Sequence, residues 1–396
     1  RLSLVGSEMC IRDRSNIGTN NRIICMTYLM LAFILSLALV MLGMPSLIRL
    51  AVQKNLLDDP TEDRKVHMRS VPRLGGVLVF IGTLVTTTIL VSPEGESALS
   101  FLRLAAASTI LFFLGLKDDL VGLHPLKKLG MQIIVGAILI LGGGFMIGDF
   151  SGLFGLGSLS LWTALPFSLF VYIVVVNSVN LIDGIDTLAG GYGLLVAISC
   201  ALWFQLTGQS DFAILCLSLA GALAGFILFN ISPARIFLGD SGSLILGMFI
   251  YVMASSIMAT PTNQIPAMWA HRSMPVLAMT MLSYPLVDTL RVFTLRVLDG
   301  RSPFSPDRNH LHHRILRLGL THLQAALVPY LHGPHGRTGV RDARHESNAG
   351  LLHPARHGFP VAGGPSRRRT DDPPPSRRAA QGTAGLLSPR DALGLR

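Results

Sequence analysis

Charged residues are scarce in this sequence. Asp, Glu, Lys and Arg make up 14% of the 396 residues, against about 25% in a typical soluble domain. Half of the residues are apolar, and apolar runs of about 20 residues, long enough to cross a bilayer, recur along the chain. These runs are continuous rather than alternating, which favours helices over transmembrane strands. The composition therefore predicts an all-α, polytopic transmembrane helical bundle.

Several other signatures are missing. The four cysteines form no CxxC pair and no metal-binding spacing, which argues against a disulfide framework or a zinc site. No GxxxxGK[ST] stretch is present, so a nucleotide-binding loop of that kind is excluded. The net charge of +10 comes largely from residues 327–396, which hold eleven Arg and five acidic residues. The basic balance therefore does not indicate a nucleic-acid partner.

The chain divides into three parts by composition. Residues 1–25 lack the apolar core of a signal peptide, and we interpret them as a non-native leader before a natural start at Met26. Residues 26–326 form the predicted membrane domain. Residues 327–396 are a basic Pro/Gly/Arg-rich tail, either disordered or frame-shifted. Nine spans are predicted, at 26–50, 74–92, 100–116, 129–148, 159–179, 189–208, 212–229, 242–260 and 274–293.

The loops between the spans alternate in charge. Loops 51–73, 117–128, 230–241 and 291–318 carry Lys and Arg, and loop 180–188 joins them by alternation, whereas the remaining loops are short and poor in both. The positive-inside rule places the basic set in the cytoplasm and the N-terminus outside. Every loop with a cluster of Asp or His belongs to this set, so we expect these clusters to share one membrane face.

A polar stripe interrupts one apolar run. Asn177, Asn180, Asp183 and Asp186 recur at every third position, which on a helix keeps them on one slowly rotating face. Polar and ionisable groups at a membrane span are costly unless they meet water, each other or a cation. The alternative explanation is that these polar residues form a solvent-exposed helix end with no function. Four residues in register favour a functional site instead.

Four further motifs lie on the same predicted face. They are Arg64, Lys65 and His67 in the first loop, the adjacent pair Asp118 and Asp119, Asp240 between glycines, and a loop with Arg308, His310, His312 and His313. Each has a plain alternative. The first could be a basic patch facing lipid, the second a solvated turn, the third an N-cap, and the last a zinc site or a solvated loop.

Together these motifs indicate one chemistry. Carboxylates are hard oxygen ligands that suit Mg²⁺ or Mn²⁺, and Arg, Lys and His suit phosphates. The combination at a membrane rim predicts metal-assisted phosphoryl transfer between a cytosolic and a lipid-borne substrate. The alternative from another class is a polytopic ion-coupled transporter, which would need acidic residues at mid-span.

The five motifs, taken in order, resemble the polyprenyl-phosphate N-acetylhexosamine-1-phosphate transferase family over about residues 26–326. They read DxPxxRKxHxxxxPxxGG, DD, NxxDGxD, LGDSGS and PDRxHLHHR. The resemblance implies transfer of GlcNAc-1-phosphate, or a related sugar phosphate, from a UDP-sugar to undecaprenyl phosphate. UMP is released, Mg²⁺ or Mn²⁺ is required, and the site faces the cytoplasm at the bacterial inner membrane. The PDRxHLHH form is typical of members that begin O-antigen, enterobacterial antigen or teichoic-acid linkage synthesis.

The resemblance also implies roles for individual residues. Asp118 and Asp119 match the pair that handles the metal or deprotonates the lipid phosphate, and Asp240 matches the strongest Mg²⁺ ligand. Asp183 and Asp186 match acids on the nucleotide-sugar side, with Asn177 and Asn180 beside them as substrate-binding candidates. The matches to substrate-binding loops are Arg64, Lys65, His67, Arg308, His310, His312 and His313, of which His310 is also a catalytic candidate. The implied partners are both substrates and membrane lipid, with a homodimer as one form of assembly.

Two departures from the family pattern bear on this interpretation. Thr187 stands where the family usually has Gly, so we expect strain in the turn beside Asp186. The last spans of the family are not recognisable after about residue 326, which leaves an inactive truncated transferase as a further alternative.

Overall fold

The computed structural model describes residues 19–56, 71–93, 95–269, 273–298 and 300. Within these ranges the chain forms nine α-helices and no β-structure beyond a single bridge between Asp149 and Ser158. The helices are α1 (Thr19–Gln53), α2 (Gly75–Leu90), α3 (Gly95–Val121), α4 (Pro125–Ala137, continued by a π-turn over Ile138–Gly142), α5 (Leu161–Ile182), α6 (Leu188–Leu206), α7 (Ser210–Asn230), α8 (Gly239–Met258) and α9 (Met274–Leu298). The predicted all-α bundle is confirmed.

Each of the nine predicted apolar runs coincides with one of these helices. Among the described helices, eight are long and apolar enough to cross a membrane, with α4 counted together with its π-turn. The exception is α2, whose 16 residues extend about 24 Å, short of the roughly 30 Å hydrocarbon core. The first helix begins at Thr19, before the expected start at Met26. The chain is a multi-pass membrane protein.

Helix α8 is the axis of the bundle. In its apolar stretch 94% of the residues are buried, against 22% in α1. Helices α3 and α5 pack along it, and α2, α6 and α9 complete its surroundings. Because α8 is enclosed by other helices whereas α1 is largely exposed, α8 forms the centre of the bundle against which its neighbours pack.

Small residues allow the outer helices to approach closely. On α7, a Cβ added at Gly221 would collide with the backbone carbonyl of Phe33 on α1, and one added at Gly225 would lie 3.1 Å from Val40. Helices in lipid associate through van der Waals packing, which close approach of two backbones increases. The AGALAG stretch of α7 therefore explains why α1 packs against it.

The ends of α3, α5 and α7 and the starts of α2, α4, α6 and α8 lie at one end of the bundle. The stretch before α2 is bound there to the stretch before α8, because the Gly75 and Gly76 N–H groups each donate a 2.8 Å hydrogen bond, to the Phe237 and Leu238 carbonyls respectively. Three of the loops predicted to share one face, 117–128, 180–188 and 230–241, each contain aspartate and come together here.

Two of these loops are shorter than the sequence predicted. Helix α3 continues to Val121 and α4 begins at Pro125, so Asp118 and Asp119 lie on the last helical turn rather than in a loop. Helix α5 ends at Ile182, so the prediction of one helical face for the whole stripe was wrong for Asp183 and Asp186. Both lie in the turn between α5 and α6, which ends at the left-handed residue Thr187.

Candidate active site

The site is assembled around the first turn of α8. The Asp119 carboxylate accepts hydrogen bonds from the backbone N–H groups of Asp240, at 2.7 Å, and Ser241, at 2.9 Å. The first N–H groups of a helix have no partner within the helix and carry partial positive charge. A carboxylate from α3, more than a hundred residues earlier in the chain, satisfies them and fixes α8 against α3.

Gly239 makes this approach sterically feasible. Its φ is +75°, and a Cβ there would lie 2.7 Å from the Asp119 Oδ2 atom and would collide with the Arg73 carbonyl. Any other residue would meet both the conformational cost of positive φ and these two clashes. The glycine before Asp240 in the LGDSGS motif is therefore explained by geometry.

Lys128 lies between two carboxylates of the site. Its Nζ atom is 2.8 Å from the Asp118 Oδ2 atom and 2.8 Å from the Asp240 Oδ2 atom. The other Asp118 oxygen accepts a 2.6 Å hydrogen bond from the Leu123 N–H. The side chains of Lys128 and Asp118 are 15% and 12% exposed, and that of Asp240 is 29% exposed. Asp240 is thus the member of this trio most open to a ligand.

The two asparagines of the stripe have different partners. The Asn180 amide donates to the Asp240 Oδ1 atom and to the Ser243 hydroxyl, the latter at 2.8 Å. The Asn177 amide donates to Gln132 at 2.9 Å, which satisfies a glutamine that is only 1% exposed on α4. Asn180 therefore orients the central acid, whereas Asn177 ties α5 to α4.

Asp183 follows α5 and faces the same helix start. The Gly239 N–H lies close enough to the Asp183 carboxyl to favour its charged form. Burial raises the pKa of the Asp183 carboxyl well above its ordinary value, and the negative charges of Asp240 and Asp119 raise it further. Asp119 and Asp183 therefore lie close to Asp240 at the start of α8.

The turn from Asp183 to Thr187 is stabilised by a hydrogen bond to Asn230 on α7. Asp186 is buried, with 2% of its surface exposed. The next residue, Thr187, has a φ of +68°, and its N–H donates a 2.6 Å hydrogen bond to Asn230 Oδ1. The Asn230 amide in turn donates to the Ile236 carbonyl at 2.8 Å. Asn230 therefore connects the acidic turn to the stretch that leads into α8.

Glycines on three helices meet where the site is anchored. A Cβ on Gly115 of α3 would lie 2.5 Å from the Asp240 carbonyl oxygen and from Ser241 Cα, and one on Gly76 of α2 would overlap the backbone of Gly242. The backbones of α2, α3 and α8 are in direct contact at these points. This contact sets the distance between the Asp119 carboxylate and the N–H groups of Asp240 and Ser241, from which it accepts hydrogen bonds.

Some of the residues predicted to bind substrate lie outside the described ranges. They are Arg64, Lys65, His67, Arg308, His310, His312 and His313. The described residues bring together Asp118, Asp119, Asn180, Asp183 and Asp240, while Asp186 is in the adjoining turn and Asn177 is one helical turn before Asn180.

Sequence reasoning missed Lys128, Ser243 and Gln132 as partners of the site residues. Lys128 was counted only among the basic loop residues that set the topology. One local signal was available, because Lys128 lies in the first turn of α4, where the helix dipole disfavours a cation. An acidic partner would offset this effect, and the DD pair is close by in the sequence.

The donor chemistry of the site suits a hard divalent cation. In the described part of the chain, no three His, Cys, Asp or Glu side chains are grouped as a ready metal site. Asp119 is engaged by backbone N–H groups, and Lys128 lies between Asp118 and Asp240. The Asp118 and Asp240 oxygens nevertheless converge on one small region, as Mg²⁺ or Mn²⁺ would require. These two residues fit such an ion if Lys128 moves aside.

The fold and the site define a class: a multi-pass helical membrane protein with a carboxylate-lined site at one end of its bundle. A family model described as glycosyl transferase family 4 matches residues 101–258, which include the DD pair, the polar stripe and Asp240. The chain belongs to this family, and the resemblance stated from the motifs is confirmed.

Curated relatives cover most of the chain. A probable undecaprenyl-phosphate N-acetylglucosaminyl 1-phosphate transferase of Bacillus subtilis is 32% identical over 310 residues, which is 78% of this chain and 83% of the relative. A decaprenyl-phosphate N-acetylglucosaminephosphotransferase of Mycolicibacterium smegmatis is 32% identical over 71% of this chain and 74% of the relative. An undecaprenyl-phosphate alpha-N-acetylglucosaminyl 1-phosphate transferase of Escherichia coli K12 is 30% identical over the same shares.

Proposed function

We propose that this chain transfers N-acetylhexosamine-1-phosphate, most simply GlcNAc-1-phosphate, from a UDP-sugar to undecaprenyl phosphate and releases UMP. The relatives are named for transfer of this kind to a polyprenyl phosphate. The observation that carries the proposal is the meeting of Asp119, Asp183 and Asp240 at the start of α8. Residues from three separate parts of the chain form one acidic site at a membrane rim, where a lipid phosphate and a cytosolic sugar nucleotide can both arrive.

The reaction that fits this site is a displacement at phosphorus. An oxygen of the lipid phosphate attacks the β-phosphorus of the UDP-sugar, the bond to the bridging α–β oxygen breaks, and UMP leaves. Asp118 and Asp240 would hold Mg²⁺ or Mn²⁺, which when bound offsets the negative charge of the pyrophosphate. Asn180 keeps the Asp240 carboxylate oriented, and the bundle supplies the positioning of the two substrates. A direct step and a two-step route through an aspartyl-phosphate both use these residues.

The location follows from the same proposal. We place the protein in the bacterial inner membrane with this end of the bundle in the cytoplasm, since loops 117–128 and 230–241, which reach the site, carry Lys or Arg and loop 180–188 lies on the same side by alternation. The product would be the first lipid-linked intermediate of a cell-envelope polysaccharide such as O-antigen. The ion-coupled transporter is not supported, because the relatives are named as transferases and the clustered acids lie at helix ends.

Release of UMP from UDP-GlcNAc tests the proposal. The purified chain with undecaprenyl phosphate and Mg²⁺ should release UMP, and Asp240→Asn should reduce the rate by a factor of about 10³, the loss typical of a group that stabilises transition-state charge. Asp211→Asn is the matched control and should leave the rate unchanged, because Asp211 lies in the first turn of α7 at the opposite end of the bundle. A near-normal rate for Asp240→Asn would remove this residue from the reaction.

A further inference from the structure

The ammonium of Lys128 occupies the region where the Asp118 and Asp240 side chains converge. Its Nζ atom is 2.8 Å from one Oδ2 atom of each residue. The two acids come from the last turn of α3 and the first turn of α8, and the lysine from the first turn of α4. One cation therefore holds three helix ends together through two ion pairs.

This arrangement has an unfavourable local component that the ion pairs must outweigh. A cation in the first turn of α4 faces the positive end of that helix's dipole, and its side chain is only 15% exposed. The acids around the site supply the compensation, because Asp118, Asp240 and the nearby Asp119 would repel one another without a positive charge among them. The lysine is thus held in place by the acidity of the site and not by its own helix.

A divalent ion and the lysine cannot share this position. Mg²⁺ binds carboxylate oxygens at about 2.0–2.1 Å, so an ion held by Asp118 and Asp240 would use the oxygens that now accept from Lys128. An ammonium group between the same two oxygens would both overlap the ion and repel it. The four-carbon stem of lysine is flexible, and the Asp240 side chain is 29% exposed, so an ion from solvent can reach the pair.

We propose that Lys128 is a built-in counter-ion that keeps the two carboxylates paired and is displaced when a divalent ion enters between them. The proposal rests on the proposed function only in naming Asp118 and Asp240 as residues for the ion. It makes Lys128 a positioning residue, which lowers the affinity of the site for the metal and stabilises the metal-free protein.

The direct test measures Mn²⁺ binding to the purified full-length protein by electron paramagnetic resonance, without either substrate. Lys128→Met removes the charge and keeps the length of the side chain, so we expect Mn²⁺ to bind about tenfold more tightly, since the two ion pairs of Lys128 no longer have to be displaced. The same variant should melt at a lower temperature in EDTA and regain more stability than the wild type when Mn²⁺ is added. Lys127→Met is the matched control, because the neighbouring Lys127 is exposed, and should change neither quantity.

A second measurement uses the unmodified protein. Acylation of lysines by an amine-reactive reagent, read by mass spectrometry, should increase at Lys128 when Mg²⁺ is added but not when Na⁺ of equal ionic strength is added. Lys127 serves as the internal reference. This readout keeps the proposal testable if Lys128→Met fails to fold.

Three results would overturn the proposal. They are an unchanged or weaker Mn²⁺ affinity for Lys128→Met, a Lys128 reactivity that does not respond to Mg²⁺, and an absence of Mn²⁺ binding in both proteins. Binding that is lost in Asp240→Asn but unaffected by Lys128→Met would reject the counter-ion and leave the metal site intact. UMP release is measured separately, so failure of the transferase proposal can be told apart from failure of this one.

Discussion

Thr187 adopts a backbone conformation that a β-branched residue seldom takes. Its φ of +68° lies in the left-handed region, where the two γ-atoms of threonine crowd the backbone. The turn keeps this geometry because its N–H is bound by Asn230 and its hydroxyl donates to the Asp186 carbonyl at 2.6 Å. The strain expected from the sequence at this position is therefore present, directly beside a buried acid.

Thr187→Gly should relieve that strain. We expect the free energy of unfolding to rise by about 1 kcal/mol, the lower end of the cost of a strained φ, offset in part by the lost hydroxyl bond. Thermal unfolding in detergent measures the difference. Thr280→Gly, at an exposed helical position of α9, should instead destabilise by roughly 0.3 kcal/mol, the difference in helix propensity between Thr and Gly. Equal effects of the two changes would contradict the assignment of strain to Thr187.

Asp183 makes the stability of the site depend on pH. Because burial raises its pKa in the folded protein, the folded state binds the proton more tightly than the unfolded state does. Its favourable contribution is therefore complete below about pH 4, the ordinary value of an aspartate, and is lost as the pH rises through the higher folded value.

Asp183→Asn removes that dependence. We expect the variant to melt above the wild type at pH 7.5 and the difference to shrink towards zero as the pH falls to about 4, the ordinary aspartate value. Differential scanning fluorimetry over this pH range gives the comparison. A constant difference at all pH values would show that Asp183 does not titrate between the two states.

At the scale of elements, the crossing of α2, α3 and α8 determines whether the site residues can meet. The apolar runs predicted these helices correctly, because hydropathy over a span-length window is a property of the local sequence. It did not predict that α3 would continue through the charged stretch to Val121, because the partners that stabilise its last turn, Lys128 and the α8 N–H groups, come from other helices. The ends of the helices were therefore less predictable than their presence.

Gly115→Ala should separate α3 from α8. The new methyl carbon would lie 2.5 Å from the backbone of Asp240 and Ser241, and backbone atoms cannot move aside as the end of a side chain can. We expect the rate of UMP release to fall at least about tenfold, since small displacements of catalytic groups have effects of this size or larger.

Gly130→Ala is the control for that change. Gly130 lies within α4, and a Cβ there meets no atom within 4 Å, so the rate should be unchanged and the helix slightly stabilised. A normal rate for Gly115→Ala in folded protein would mean that the contact between α3 and α8 does not set the geometry of the site.

At the scale of the whole molecule, alternating spans bring distant loops to one end. The sequence was sufficient to predict that the DD pair, the acidic turn and the LGDSGS motif share a face, because each crossing reverses the direction of the chain. It was not sufficient to pair individual side chains. Lys128 and Asp240 are separated by 112 residues, and the meeting of their side chains depends on how α4 and α8 pack in three dimensions.

The membrane orientation can be tested with single cysteines. In a background without Cys10 and the buried Cys25, Cys200 and Cys216, Lys127→Cys should react with a membrane-impermeant maleimide only after cells are opened. Phe154→Cys, at a position 82% exposed at the other end of the bundle, should react in intact cells. The reverse pattern would place the site outside the cytoplasm.

The enclosure of α8 also bears on how the protein is made. Seven of the described helices precede α8 in the chain, and they include α2, α3 and α5, which surround it. During synthesis the carboxylates of Asp119 and Asp183 therefore reach the membrane before the helix start that will bind them. The acidic site can therefore form only after α8 has been made, whereas α9, which also packs against α8, follows later in the chain.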